Sequence, residues 1–319
     1  MEISLIEKDS NVKKFTKDQL SIFWLPDEPK VEKDIQDIKV NMTPSETHGV
    51  LTILKLFSLY ELKAGEEYWG ERFNKMFPDR LEYLKMANAF SFFETNIHLP
   101  FYNRINELLN INTDEYYQSY AKDPILKSRI EFIDQVIKSK NDLYSLAVFS
   151  MVEGVILYSS FAFLKHFQSK GKNKLLNIVR GINFSVRDEN LHSMGGAYAF
   201  KDKLEAAKLS TEDKQALVDV IYKAAEHLKE HEFRISEMIF EKGQIEGITE
   251  TQLKHFIESR VNLVLQQLGL KPLYTVEYNP IADWFYDGIN GYQYNDFFSG
   301  IGSAYSREWS EGEFSWKVV

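Results

Sequence analysis

The stretch LYSLAVFSMVEGVILYSSFAFL, residues 143 to 164, carries one charge in 22 residues, and that charge, Glu153, sits at its middle. Such a run is long enough to span a bilayer. A carboxylate at its centre, with no second span and no flanking anchors, argues instead for a helix buried on all sides of a helical bundle. An unpaired carboxylate in that setting costs several kcal/mol or takes up a proton. The chain must therefore bring a cation or a metal to Glu153.

Partners are available on other helices. Apolar residues recur at three- and four-residue spacing over roughly 44–69, 80–109, 125–137, 141–168, 172–202, 211–241 and 250–267, which predicts an all-α fold. No run alternates as a strand would, and Gly and Pro fall between the helical stretches. Thr43-Pro44 opens one helix, Asn110 to Thr113 interrupts another, and Ser210 with Asp213 has the form of a capping box.

Within these helices GINFSVRDENLHSM sets Glu189 and His192 three apart on one face, with Asp188 beside them. FETNIHLPFY, residues 93 to 102, sets Glu94, His98 and Tyr102 on one face of another helix, and FSLYELKAGEEYW puts Glu61 on the apolar side of a third. Any one of these alone reads more readily as a solvated pair or a surface charge. Together with Glu153 they amount to four glutamates and two histidines from four helices, the inventory helix bundles use for dinuclear metal sites. Oxygen-rich ligation with one imidazole per metal suits iron or manganese.

Composition narrows the chemistry further. The chain has no cysteine, so thiolate ligands, thiol nucleophiles and disulfides are excluded. Its 38 basic and 47 acidic residues give a net charge of −9 without a Lys/Arg block, which argues against nucleic-acid or anionic-membrane partners. The N-terminus MEISLIEKDSNVKK lacks a basic-then-apolar signal pattern, and a cytoplasmic protein is the expectation.

The same residues resemble the small, radical-generating subunit of class I ribonucleotide reductase. SIFWLPDE is similar to the family's Phe-Trp-x-Pro-Glu segment, VEGVILYSSFAF to the segment bearing its third carboxylate, and VRDENLH to its Arg-Asp-Glu-x-x-His motif. YNPIADWF repeats its Asn-Pro pair, and DFFSGIGSAYS resembles its Phe-Phe segment followed by a tail tyrosine. The likeness runs from about residue 20 to 305.

The resemblance implies a ferritin-like bundle over residues 1–300 and a flexible C-terminal tail, 301–319, that docks on the large subunit. It also implies a homodimer. Glu61, Glu94 and His98 would hold one metal and Glu153, Glu189 and His192 the other, as an Fe/Fe, Mn/Fe or Mn/Mn pair. Tyr102 would be the radical site. Asp188 would link His98 to Trp24, and the path would leave through Tyr305 toward a cysteine of the large subunit. The absence of cysteine here agrees, since nucleotide reduction belongs to that partner. A stand-alone ferritin-like oxidase is the alternative, and it would have no use for Trp24, Asp188 and Tyr305.

One departure bears on mechanism. The family spaces its first pair as Glu-x-x-His, whereas three residues separate Glu94 from His98. A π-bulge would absorb one added residue and keep both flanks in register, made easier by Pro100, which lacks an N–H. Otherwise the first metal position is altered and Phe101, not Tyr102, faces it. The spacing favours the bulge.

Four further features remain. HLKEH, residues 227 to 231, fits a zinc-peptidase pattern but reads as a solvated face. His48, His166 and His255 read as surface or cap residues. Phe93, Phe101 and Leu157 are expected to line and dry the radical pocket. Four aromatics, Tyr305, Trp309, Phe314 and Trp316, in an otherwise polar terminus suggest a segment ordered on a partner.

Overall fold

A computed structural model describes residues 6–286 of the 319. The tail with Tyr305, and residues 287–300 of the expected helical domain, lie outside the described residues. Within them the fold is helical, without strands, and its only β feature is an isolated bridge between Ile245 and Ile248.

The principal helices are α1 (Ser10–Ser21), α2 (Pro44–Leu62), α3 (Leu81–Phe93), α4 (Leu99–Leu109), α5 (Pro124–Lys138), α6 (Asp142–Val155), α7 (Tyr158–Lys165), α8 (Leu176–Ala207), α9 (Thr211–Ile239) and α10 (Glu250–Gln267). Local chemistry sets their starts. Thr43 caps α2 with a capping box to Glu46, and Pro44 occupies its first turn. Ser210 accepts from the Asp213 N–H at the head of α9.

Helix α6 is central: from Ser145 to Val155 every residue is buried, and it packs against α8 above all, then α9, α10 and α5. The segment Asp142–Gly171 is apolar and long enough to cross a membrane, but its apolar window is entirely buried within the bundle. Close approach to α8 and α10 depends on Gly154, where a Cβ would meet Val264 Cγ2 at 2.4 Å and Ser193 Oγ at 2.5 Å.

Three differences from the sequence reading stand out. Helix α1 was not anticipated, because only Val12 and Gln19 of its polar face turn inward; its signal was Asp9, which caps Asn11 and Val12. The expected helix 141–168 breaks after α6, with Ile156 extended and Leu157 left-handed at φ 72°. A π-helical stretch, Lys63–Phe73, prolongs α2 beyond its expected end.

Two histidine readings are corrected. His166 is fully buried, its Nδ1 donating to the Phe163 carbonyl. His231 of HLKEH is also buried, near Arg129, because that face of α9 packs inward; neither His227 nor His231 belongs to a ligating cluster among the described residues.

Candidate metal centre

The six candidate ligands converge in the core. Glu61 ends the apolar face of α2, Glu153 lies on α6, and Glu189 and His192 share a face of α8. Glu94 and His98 bound a π turn between α3 and α4, in which the Leu99 N–H reaches back five residues to the Glu94 carbonyl. The extra residue is thus absorbed, and both ends of the turn face the core.

The ligand atoms form two groups: Glu61, Glu94, His98 and Glu189; and Glu94, Glu153, Glu189 and His192, with atoms in each within 4.8 Å of one another. Glu94 and Glu189 belong to both. His98 Nδ1 lies 3.0 Å from Glu94, 3.2 Å from Glu189 and 3.5 Å from Glu61. His192 Nδ1 lies 2.5 Å from Glu94 Oε1 and 3.8 Å from both Glu153 and Glu189.

All six are at most 4% exposed, and among the described residues no lysine or arginine forms an ion pair with them. Glu61 Oε1 makes no hydrogen bond, although an orphaned buried polar atom costs about 1–3 kcal/mol, and Glu94 Oε1 and His192 Nδ1 have only each other. These are donors aimed at a common point, and oxygen-rich donors with one imidazole each fit a pair of transition-metal ions.

Electrostatics agree. Burial pushes the Glu61 and Glu189 carboxyls well up, and the Glu94 charge adds to it. Burial would raise Glu94 as well, but His98 and His192 on either side hold it well below the usual range. Burial would lower both histidines, and here the carboxylates prevail, raising His98 well above its normal value and His192 to about 10. Without metal, protons supply the positive charge, so metal binding must displace them.

A second layer fixes the imidazoles. His98 Nε2 donates to Asp188 Oδ2 at 3.1 Å, and the same oxygen accepts from Trp24 Nε1 at 2.8 Å. Gln19 Nε2 donates to Asp188 Oδ1 at 3.1 Å. A carboxylate only accepts, so the Gln19 amide nitrogen must face Asp188 and its oxygen must face His192 Nε2, 3.0 Å away. Both rings therefore carry a proton on Nε2, and the Nδ1 that faces the carboxylates is the nitrogen that would give up its proton to a metal. Trp69 donates to Glu153 Oε1 at 2.7 Å. Gln19 and Trp69 were missed in the sequence, since no motif marks either.

Tyr102, rather than Phe101, takes the place beside Glu61; its own burial, and then the Glu61 charge, push its phenol well up. Phe101 turns toward Trp24, 5.4 Å away between centroids, and its ring lies where a Cβ at Gly181 would stand. Tyr102 stacks on Phe57 at 4.4 Å with rings 13° apart. Phe93 packs edge-on against Phe23 at 5.7 Å, so Phe57 replaces it as a wall of the pocket. Leu157 lines a cavity of about 20 Å³ bounded by Glu61, Glu153 and Glu189, room for one small molecule.

Fold and cluster together define a ferritin-like helical bundle whose core has the donor set of a dinuclear metal site. The match is narrower than that class: the chain belongs to the family "Ribonucleotide reductase, small chain", which it matches over residues 5–280. It is 24% identical to a probable ribonucleoside-diphosphate reductase small subunit of Invertebrate iridescent virus 3, over 92% of this chain and 81% of that one. It is 23% identical to the ribonucleoside-diphosphate reductase subunit beta of Haemophilus influenzae, over 86% of this chain and 80% of that one. Among solved structures, a putative class I ribonucleotide reductase from Bacillus halodurans aligns with a TM-score of 0.77 at 21% identity, covering 88% of this chain and 100% of that one. The dimanganese(II)-NrdF of Streptococcus sanguinis aligns at 0.71, with 21% identity over 91% and 99%. At such identities the structural likeness speaks for the fold.

Proposed function

We propose that this chain is the radical-generating small subunit of a ribonucleoside-diphosphate reductase, acting with a large catalytic subunit and itself a cytoplasmic homodimer. The observation that carries the reading is the continuity from ligand to exit: His98 at the cluster, Asp188 hydrogen-bonded to it, and Trp24 hydrogen-bonded to Asp188.

Glu61, Glu94, His98, Glu153, Glu189 and His192 would hold two metals, with Glu94 and Glu189 reaching both. When bound, a redox-active pair supplies oxygen activation and a one-electron oxidant. The chain's own part is to hold and shield. Asp188 and Gln19 orient the imidazoles, Trp69 steadies Glu153, and Phe57 keeps water from Tyr102. Tyr102 stores the oxidising equivalent as a tyrosyl radical, and Asp188 and Trp24 form the exit toward Tyr305 and the large subunit. Iron or manganese both suit the donors; the Streptococcus sanguinis neighbour is a dimanganese protein.

The test is anaerobic loading with iron or manganese, metal analysis, and electron paramagnetic resonance after oxygen exposure, on wild type and Tyr102→Phe. Two metals per chain in both, with a tyrosyl signal lost only in the variant, is the expected result. Two metals and no tyrosyl signal in wild type would place the oxidant elsewhere.

A further inference from the structure

Tyr102 is not the only tyrosine buried near the carboxylates; Tyr158 is another. Tyr102 and Tyr158 are each 0% exposed, neither hydroxyl makes a hydrogen bond, and Tyr158 feels the charges of Glu189 and Glu153. An aromatic stack joins them: Tyr102 to Phe57 at 4.4 Å between centroids, Phe57 to Phe161 at 5.5 Å, and Phe161 to Tyr158 at 5.6 Å. It continues from Tyr158 to Phe285 at 5.9 Å and from Phe285 to Tyr286 at 5.2 Å, where the ring is half-buried. An electron can tunnel from Tyr158 to an oxidised Tyr102 across the two phenylalanine rings between them, so the oxidising equivalent has a route by which to drain toward the surface.

The two tyrosines differ in the charge they meet. Tyr102 is faced by the neutral Phe57 ring, 13° from parallel at 4.4 Å. Tyr158 lies under the Arg260 guanidinium, 3.8 Å from the ring centroid. A cation over a π face is bound by its electrons and opposes their loss. Arg260 is held in place: Nε and Nη2 donate to the Gly154 carbonyl at 3.1 and 2.9 Å, and Nη1 donates to the Tyr286 hydroxyl at 3.1 Å. One fixed cation thus touches both tyrosines of the outer half of the stack.

We propose that Arg260 confines the oxidising equivalent to Tyr102 by making Tyr158 the harder of the two rings to oxidise, which closes the stack to leakage. The inference rests on Tyr102 being the radical site. The step opposed moves one electron from Tyr158 to oxidised Tyr102 and, in net, one proton the same way. Tyr102 would return to a phenol and Tyr158 would become the neutral radical. Arg260 is a positioning residue, acting through Tyr158.

The experiment follows the decay of the tyrosyl resonance after oxygen exposure in wild type, Arg260→Lys, Arg260→Gln and Arg260→Gln/Tyr158→Phe, with metal content measured for each. Arg260→Gln should lose the signal about tenfold faster or more, Arg260→Lys should stay near wild type, and the added Tyr158→Phe should restore the lifetime. Equal decay in wild type and Arg260→Gln at full metal content, or fast decay that Tyr158→Phe does not rescue, overturns the proposal. Should Arg260→Gln fail to fold, Tyr158→Phe alone decides: an unchanged lifetime is expected, and a longer one means the stack leaks with Arg260 in place. A wild type without signal, or a signal that survives Tyr102→Phe, sinks the radical-site reading instead.

Discussion

At the scale of single residues, the six ligand candidates were legible because chemistry restricts them: a glutamate inside an apolar run has few explanations. Gln19 and Trp69 were not, since a glutamine in a polar helix and a tryptophan in a core each have many. Gln19 nonetheless fixes the tautomer of His192. Replacing it by leucine should weaken the metal group containing His192 by about 10–100-fold while the helix content is unchanged, read by competition with a chelator. The buried histidines away from the cluster make a second prediction. Burial pushes His166 to about 4 and His231 to about 3, whereas each titrates near 6.5 when unfolded. Between those values only the unfolded chain binds the proton. Stability then falls as pH drops below about 6.5, by up to about 1.4 kcal/mol per unit for each histidine. His166→Gln and His231→Gln should each flatten the fall in urea midpoint between pH 6.5 and 5. Comparing variant with wild type cancels the titration of the carboxylate cluster.

At the scale of elements, periodicity located the long helices but could not see where they are interrupted. The π turn at Glu94–His98 was readable only as a spacing anomaly, and the break at Ile156–Leu157 left no mark, because an apolar run looks the same whether or not it is continuous. If the π turn is a one-residue insertion, deleting the exposed Asn96 should convert it to ordinary helix and keep both flanks in register. The shortened chain should fold and bind two metals; loss of one metal would show that the turn itself positions Glu94 or His98. Gly154→Ala tests the packing between elements. Its methyl would collide with both Val264 and Ser193, so a loss of about 1–3 kcal/mol is expected in denaturant unfolding.

At the scale of the whole molecule, class and family could be read from the chain, whereas the ties between distant helices could not, since nothing in a sequence pairs one charge with another. Arg129 on α5 is fully buried, meets Glu232 on α9 at 2.7 Å and lies over the Tyr60 ring of α2 at 4.4 Å. Glu232 also accepts from the Ser159 hydroxyl of α7, so four helices meet at one ion pair. Glu232→Gln should destabilise the protein by about 3–5 kcal/mol by stranding the guanidinium, whereas replacing both partners with apolar residues should cost far less. The attachment of α1 has a different consequence. That helix buries only Val12 and Gln19, yet it supplies the amide that orients His192 and leads directly into Trp24. A protease that trims the first two dozen residues would leave every candidate ligand in place while removing both Gln19 and Trp24, so the clipped protein should bind metal more weakly at His192 and lack the proposed outlet.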